Sequence, residues 1–202
     1  MKHTSQSLPV TQNGFTLVEL MVTVALFAIL MVLAVPSFNG VMASNRLTST
    51  TNELFTAMSI AKSEAVKLGT RVTVCASSDG VQCSNDQSAW HSGWITFVDS
   101  TRTGTVSASV DSGETVLAIG QPVPDGLLIS GQLAFVSFSA DGRSRDMSGG
   151  FAIARYRVCS TSSSLTDAER YRELSTAVAG RLAVKRSSEL GAATVAASCP
   201  SL

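Results

Sequence analysis

Glu19 is the residue whose chemistry asks most of its surroundings. It stands in an apolar run, residues 15–35, whose 21 positions carry no other charge. A carboxylate within hydrocarbon costs about 2.5–3.5 kcal/mol, so it calls for a cation. No Lys, Arg or His lies between His3 and Arg46. One cation remains, the α-amino group created if the chain is cut between Gly14 and Phe15. An acid that needs a new N-terminus, its own or a neighbour's, points to processing and assembly.

Other residues that could do chemistry are sparse. His91 is the only histidine beyond the leader, so a nucleophile–histidine arrangement would have to be built around it. It lies beside Trp90 in a loop-like segment and reads as an ordinary exposed histidine. There is no phosphate-binding G-x-x-x-x-G-K-[ST] loop, no H-E-x-x-H and no cluster of metal ligands. Trp90 and Trp94 flank a strand and read as core rather than as a binding platform. Neither catalysis, a metal nor a cofactor is expected.

The four cysteines, Cys75, Cys83, Cys159 and Cys199, all lie beyond the apolar run. Their spacing lacks the close pairs of zinc sites, and an even count fits disulfides in an oxidising compartment. The favoured pairs are Cys75–Cys83, closing a short loop, and Cys159–Cys199, tying down the C-terminal segment.

Across 202 residues, 15 Lys and Arg balance 15 Asp and Glu, which argues against a protein that coats nucleic acid over its whole surface. The charges are uneven, however. From Arg143 onward nine basic residues face five acidic ones, a net +4, so a local basic face is available.

The elements that must position these groups begin with the run itself. As a helix, residues 15–35 would be about 30 Å long, enough for a bilayer core. It is longer than the apolar core of a secretory signal, and the processing site would precede it rather than follow. Lys2 and His3 on its N-terminal side favour a cytoplasmic start. Pro36 should break or kink the helix, and Gly40 adds to local weakness. Beyond it Leu47, Leu54, Met58, Ala61, Ala65 and Leu68 form one apolar stripe, the mark of an amphipathic helix. Gly69 is a plausible stop.

The remainder reads as short strands, at 71–75, 94–98, 114–119, 133–138, 150–159 and 180–185. Asp79-Gly80, Asp125-Gly126 and Asp141-Gly142 are turn dipeptides between them. Residues 100–113 and 160–166 read as loops. The expected class is α+β, a long N-terminal helix packed on an antiparallel β-sheet head.

The sequence Gly14-Phe15-Thr16-Leu17-Val18-Glu19 resembles the class III signal of type IV pilins and type II secretion pseudopilins. That resemblance implies a pilin fold and cleavage after Gly14 by a prepilin peptidase. It also implies N-methylation of Phe15 and an assembly role for Glu19. The division would be a leader at 1–14, a helix at 15–68 with its transmembrane part at 15–35, and a periplasmic or extracellular head at 69–202. A narrower likeness, carried by AKSEAVKLGTRVTVC, Cys83, Trp90, GWITFVD, FSADG, GGFAI and AGRLAV, is to the GspH/FimT family of minor pilins and pseudopilins. It implies a low-abundance filament component near the tip, anchored in the inner membrane before assembly. Its partners would be major and minor pilins or pseudopilins.

Some members of that family bind DNA through a C-terminal G-R-x-R element, which makes DNA the alternative partner. Here the matching place is Gly180-Arg181-Leu182-Ala183, where the second arginine is missing and Lys185 and Arg186 follow. A literal G-R-x-R stands at Gly142-Arg143-Ser144-Arg145 in an earlier turn. Such charges at a strand edge also serve simply to discourage aggregation.

Overall fold

The computed structural model describes residues 14–101 and 108–190, without the side chains of 33–37. The chain divides into two compact units between Phe38 and Asn39. One helix, α1 (Leu17–Leu68), contributes to both.

In the first unit the helix begins at a side-chain cap. The Glu19 amide donates to the Thr16 hydroxyl at 3.2 Å, occupying one of the donors that a helix start leaves unpaired. The large apolar side chains from Leu17 to Val32 are between 46% and 74% exposed. Among the described residues no helix is long and apolar enough to cross a membrane. The helix runs through Pro36 and Gly40 without interruption, so of the break or kink open at Pro36 the structure shows no break. A proline removes one ladder hydrogen bond and leaves its neighbours to hold the helical path.

The second unit is built on the outer half of α1. Leu47, Leu54, Met58, Ala61 and Ala65 are wholly buried, with Thr50 and Thr51 beside them. Leu68, expected on the same stripe, is 47% exposed. It is the last helical residue, and Gly69 turns the chain away with a φ of 64°, the left-handed stop that glycine accepts most readily.

Among the described residues nine strands follow: β1 (Val72–Ala76), β2 (Trp94–Val98), β3 (Val116–Gly120), β4 (Leu127–Gly131), β5 (Phe135–Phe138), β6 (Ser144–Arg145), β7 (Ala154–Ser160), β8 (Tyr171–Thr176) and β9 (Leu182–Arg186). A five-stranded sheet has the order β3-β2-β1-β5-β6, and a four-stranded sheet the order β4-β7-β8-β9. All pairings are antiparallel. The α+β expectation therefore holds, with two sheets in place of one.

Both sheets share one core with the helix. Val72, Val74 and Phe138 of the first sheet and Ile129, Tyr156, Val158 and Leu174 of the second join the helical stripe in a single buried cluster. Trp90 belongs to it too, its indole donating to the Leu133 carbonyl at 3.0 Å and meeting the Tyr156 ring edge-on at 4.9 Å. A smaller cluster of Cys75, Ile95, Phe97, Phe135, Ala108 and Met147 lies apart from it. Cys75 and Cys83 are joined in a disulfide. Cys159 is also disulfide-bonded, but Cys199 lies outside the described residues.

Three strands, β4, β6 and β8, were not among the expected ones. Tyr171–Thr176 carries Arg and Glu at its centre, which hides it from a reading by apolar alternation. In the fold Glu173 is buried against Arg157 of β7 at 3.1 Å, and Arg157 also stacks on Tyr171 at 4.6 Å. A buried charge survives only when paired in this way.

Gly180 tests the packing of the head. Its φ is 68°, and an added Cβ would run into the Gly142 carbonyl oxygen. Gly69 has a similar φ but nothing within 4 Å of that position. Thermal unfolding of the full chain in detergent should therefore separate the two. Gly69→Ala should cost about 1–2 kcal/mol, the left-handed backbone term alone, and Gly180→Ala clearly more. Equal costs would mean that the Gly142–Gly180 contact contributes nothing.

Candidate functional site

Two groups of candidate residues emerge, one at the start of the helix and one in the head. The first is the Gly14–Glu19 segment. Gly14, Phe15 and Thr16 precede the helix, outside any regular element, and all are exposed. Nothing lies within 4 Å of a Cβ built on Gly14. The peptide bond between Gly14 and Phe15 thus sits in open, non-helical backbone, the kind of segment a peptidase can bind extended. The helix starts immediately afterwards, fixed by Thr16. Glu19 is exposed, in the first turn, where a negative charge is favoured by the helix dipole.

Thr16 is a residue that the motif reading passed over. The signal was present: Thr16-x-x-Glu19 is the spacing of a capping box, and the Thr16 half of it is formed. With the helix start fixed here, Glu19 is held in the first turn, four residues along the chain from Phe15.

The second group is the set of basic residues in the head. The turn at Gly142 and the turn at Gly180 meet, since a side chain at Gly180 would strike Gly142. Lys62 of α1 sits between them, donating from Nζ to the Gly180 carbonyl at 3.0 Å. The Ser144 amide adds a bond to the Val178 carbonyl. Two Gly-Arg pairs that lie far apart in sequence, Gly142-Arg143 and Gly180-Arg181, are thereby brought to one place. Arg143 and Arg181 are both exposed and Arg145 is half-buried.

Asp141 organises this corner. It pairs with Arg145 at 3.2 Å and with Arg143 at 3.7 Å, and it accepts from the Ser139 hydroxyl and the Arg143 amide. The Ser139 hydroxyl first, then the Arg143 amide, with Arg145 adding attraction, hold its carboxyl below the usual carboxylate range. The guanidinium groups of Arg145 and Arg143 lie 4.3 and 5.7 Å from the centre of the Phe151 ring, within cation–π range. Phe151 itself is 52% exposed.

Lys185 and Arg186 stand elsewhere. Successive strand residues point to opposite faces, and the register bears this out. Lys185 is opposite Glu173, whereas Arg186 is opposite Arg172. The two therefore do not form one patch. Burial, and then the neighbouring charge of Arg186, lower the affinity of Arg172 for its proton, so that pair repels rather than assembles.

Among the described residues no group of three or more His, Cys, Asp or Glu is arranged to hold a metal ion. His91 lies in a short 3-10 turn, Ala89–Ser92, with its Nδ1 2.6 Å from the Ser88 carbonyl. Trp94 is buried, like Trp90, so neither forms an exposed platform.

Comparison with known proteins bears on both groups. The model of the family described as type II transport protein GspH matches residues 50–180. That of the prokaryotic N-terminal methylation motif matches residues 10–35. Among solved structures the chain is similar in fold to the type IV minor pilin FimU of Pseudomonas aeruginosa. In one crystal form the TM-score is 0.50 at 21% identity, over 71% of this chain and 91% of that one. In a second form it is 0.48 at 21% identity, over 70% and 94%. No curated protein matches the sequence.

The state of Asp141 gives a direct check on the basic corner. A carboxyl depressed in the fold stabilises it above its unfolded pKa, about 3.9, and that contribution disappears as pH falls through the lower folded value. In an NMR titration of the full chain in detergent micelles, Asp141 should have a midpoint below about 3.9. Ser139→Ala should raise it. A midpoint at or above the ordinary value would mean that the clamp on Arg143 and Arg145 is not formed.

Proposed function

Because the chain belongs to the GspH family, whose model spans residues 50–180, and carries the N-terminal methylation motif, we propose that it is a minor pilin which joins a priming complex at the tip of a type IV pilus. A prepilin peptidase cuts between Gly14 and Phe15, and Phe15 is methylated. Before assembly residues 15–35 anchor the chain in the inner membrane, with the head on the periplasmic side. Afterwards the same helix packs among those of neighbouring pilins.

The observation that carries this reading is the exposed apolar flank of α1. Twelve large apolar side chains between Leu17 and Val32 are uncovered, a surface far beyond what a soluble monomer leaves in water. Lipid covers it first and neighbouring helices later. Glu19 then has a partner in the free amine of Phe15, on its own subunit or the next. A pairing that forms only on correct axial placement acts as a register device. A type II secretion pseudopilin would use the same machinery with other pseudopilins as partners, and the same residues would serve.

Glu19→Ala should leave the cut after Gly14 intact and reduce the chain's entry into filaments, measured by immunoblot of sheared surface fractions against whole-cell fractions. Wild-type incorporation of that variant would sink the assembly role.

A second reading has a specific observation in its favour. The turns that carry Arg143 and Arg181 meet at Gly142 and Gly180, with Arg145 next along β6, which supports a site there for the phosphates of DNA. Such binding is indifferent to sequence and strongly salt-dependent. Removing the charges of Arg143 and Arg181 together should weaken binding of duplex DNA to the full chain in detergent. The slope of log affinity against log salt should become shallower by about 0.9 for each phosphate that is no longer neutralised. Unchanged affinity at low salt removes DNA from consideration.

A further inference from the structure

The two sheets end in four edge strands, β3, β6, β4 and β9, and three of them are protected. β6 has two residues and is bridged from Arg145 to Phe151. β9 carries Lys185 and Arg186, charges that oppose strand addition. β4 is largely buried, and its ends are tied down. Gly131 donates to the Gln87 carbonyl, and Thr161 donates to that of Gly126.

Among the described residues β3 is less protected, although the turn at Gly80 lies against the Ile119 side chain. Its five residues, Val-Leu-Ala-Ile-Gly, include neither a charge nor a proline, and the middle three are exposed. Leu117 and Ile119 are 38% and 56% exposed. It pairs with β2 on one side and stands at the end of its sheet. A bare apolar edge of this kind is a template for another strand, and natural proteins blunt it unless something is meant to pair there.

Beside that edge runs a cleft of about 490 Å³ between β3 and α1. Its walls include Asn52, Glu53, Ala57 and Ile60 on the helix, and Trp94 with Gly120 on the sheet. The indole of Trp94 lies directly against Gly120, where any side chain would collide with it. The glycine therefore leaves the end of the edge as bare backbone beside an aromatic ring. Among the described residues Glu53 is the one charged residue lining the cleft. It is exposed, and it accepts from the Ser49 hydroxyl at 3.2 Å.

We propose that the outer edge of β3 is a strand-addition site for a neighbouring subunit of the filament. The occupant is an extended segment that places apolar side chains along Ala57 and Ile60 and one basic side chain at Glu53. This rests on the filament reading above. Main-chain hydrogen bonds to β3 supply the affinity, and the alternate side chains that enter the cleft supply selectivity. A second copy of this chain is a poorer occupant. Pairing β3 with β3 offers no basic residue for Glu53.

The test uses the full chain in filament-producing cells, with a photo-activated cross-linking residue in place of Leu117 and, as a control, Val184 on β9. In sheared filaments the Leu117 position should give one dominant adduct. It should map to an extended segment of a different filament subunit, with a Lys or Arg nearby. Ile119→Lys and Glu53→Lys, each added to the Leu117 probe, should cut that adduct by about tenfold or more through like-charge repulsion, with cleavage after Gly14 unaffected. An adduct no stronger than at Val184, or one that maps to another copy of this chain, overturns the proposal while leaving filament entry intact. Absence of the chain from filaments overturns the filament reading itself and, with it, the occupant named here.

Discussion

The structure of the head depends on one constraint, the burial of a narrow stripe of α1 by two sheets at once. Leu47, Leu54 and Met58 supply bulk, whereas Ala61 and Ala65 near the end of the stripe present almost none. Small residues let backbones come close. There Lys62 crosses to the Gly180 carbonyl, and the two glycine turns fit against each other because Gly180 carries no side chain to strike Gly142. Each fully buried aliphatic residue contributes about 1.5–3 kcal/mol, so the stripe outweighs any surface ion pair in the molecule. Replacing the sheets with solvent would leave the outer half of α1 as uncovered as its first half.

That first half follows the opposite rule. Among the described residues its large apolar side chains are exposed, and its only carboxylate is at the end where a new amine would arise. A single helix thus carries two surfaces with different solvents, one satisfied by its own head and one left for lipid or other chains. The division of the molecule between Phe38 and Asn39 marks where one regime gives way to the other.

Much of this was legible from residues alone, for physical reasons. The stripe was visible because burial imposes the helical period on Leu47 through Ala65. Trp94–Val98 was visible as an unbroken run of strand formers, and the Cys75–Cys83 disulfide as a short loop to close. The Gly14–Glu19 segment stood out because a charge in hydrocarbon has few explanations. What escaped was tertiary. Tyr171–Thr176 is a strand because Arg157 neutralises Glu173 from the neighbouring strand, a fact no local window contains. The meeting of Gly142 with Gly180, and so the corner that gathers Arg143 with Arg181, is likewise invisible in one dimension. So is the assignment of Lys185 and Arg186 to different faces, which needs a strand boundary before alternation can be counted.

The shared core also carries a consequence for timing. Leu47 and Leu174 belong to the same cluster, although nearly two-thirds of the chain separates them. Contacts so distant in sequence are slow to form, because the intervening loop must be closed before they give anything back. The helical stripe is made early and finds its second sheet only when the last strands arrive. A chain of this design holds only part of its core until β8 and β9 are in place.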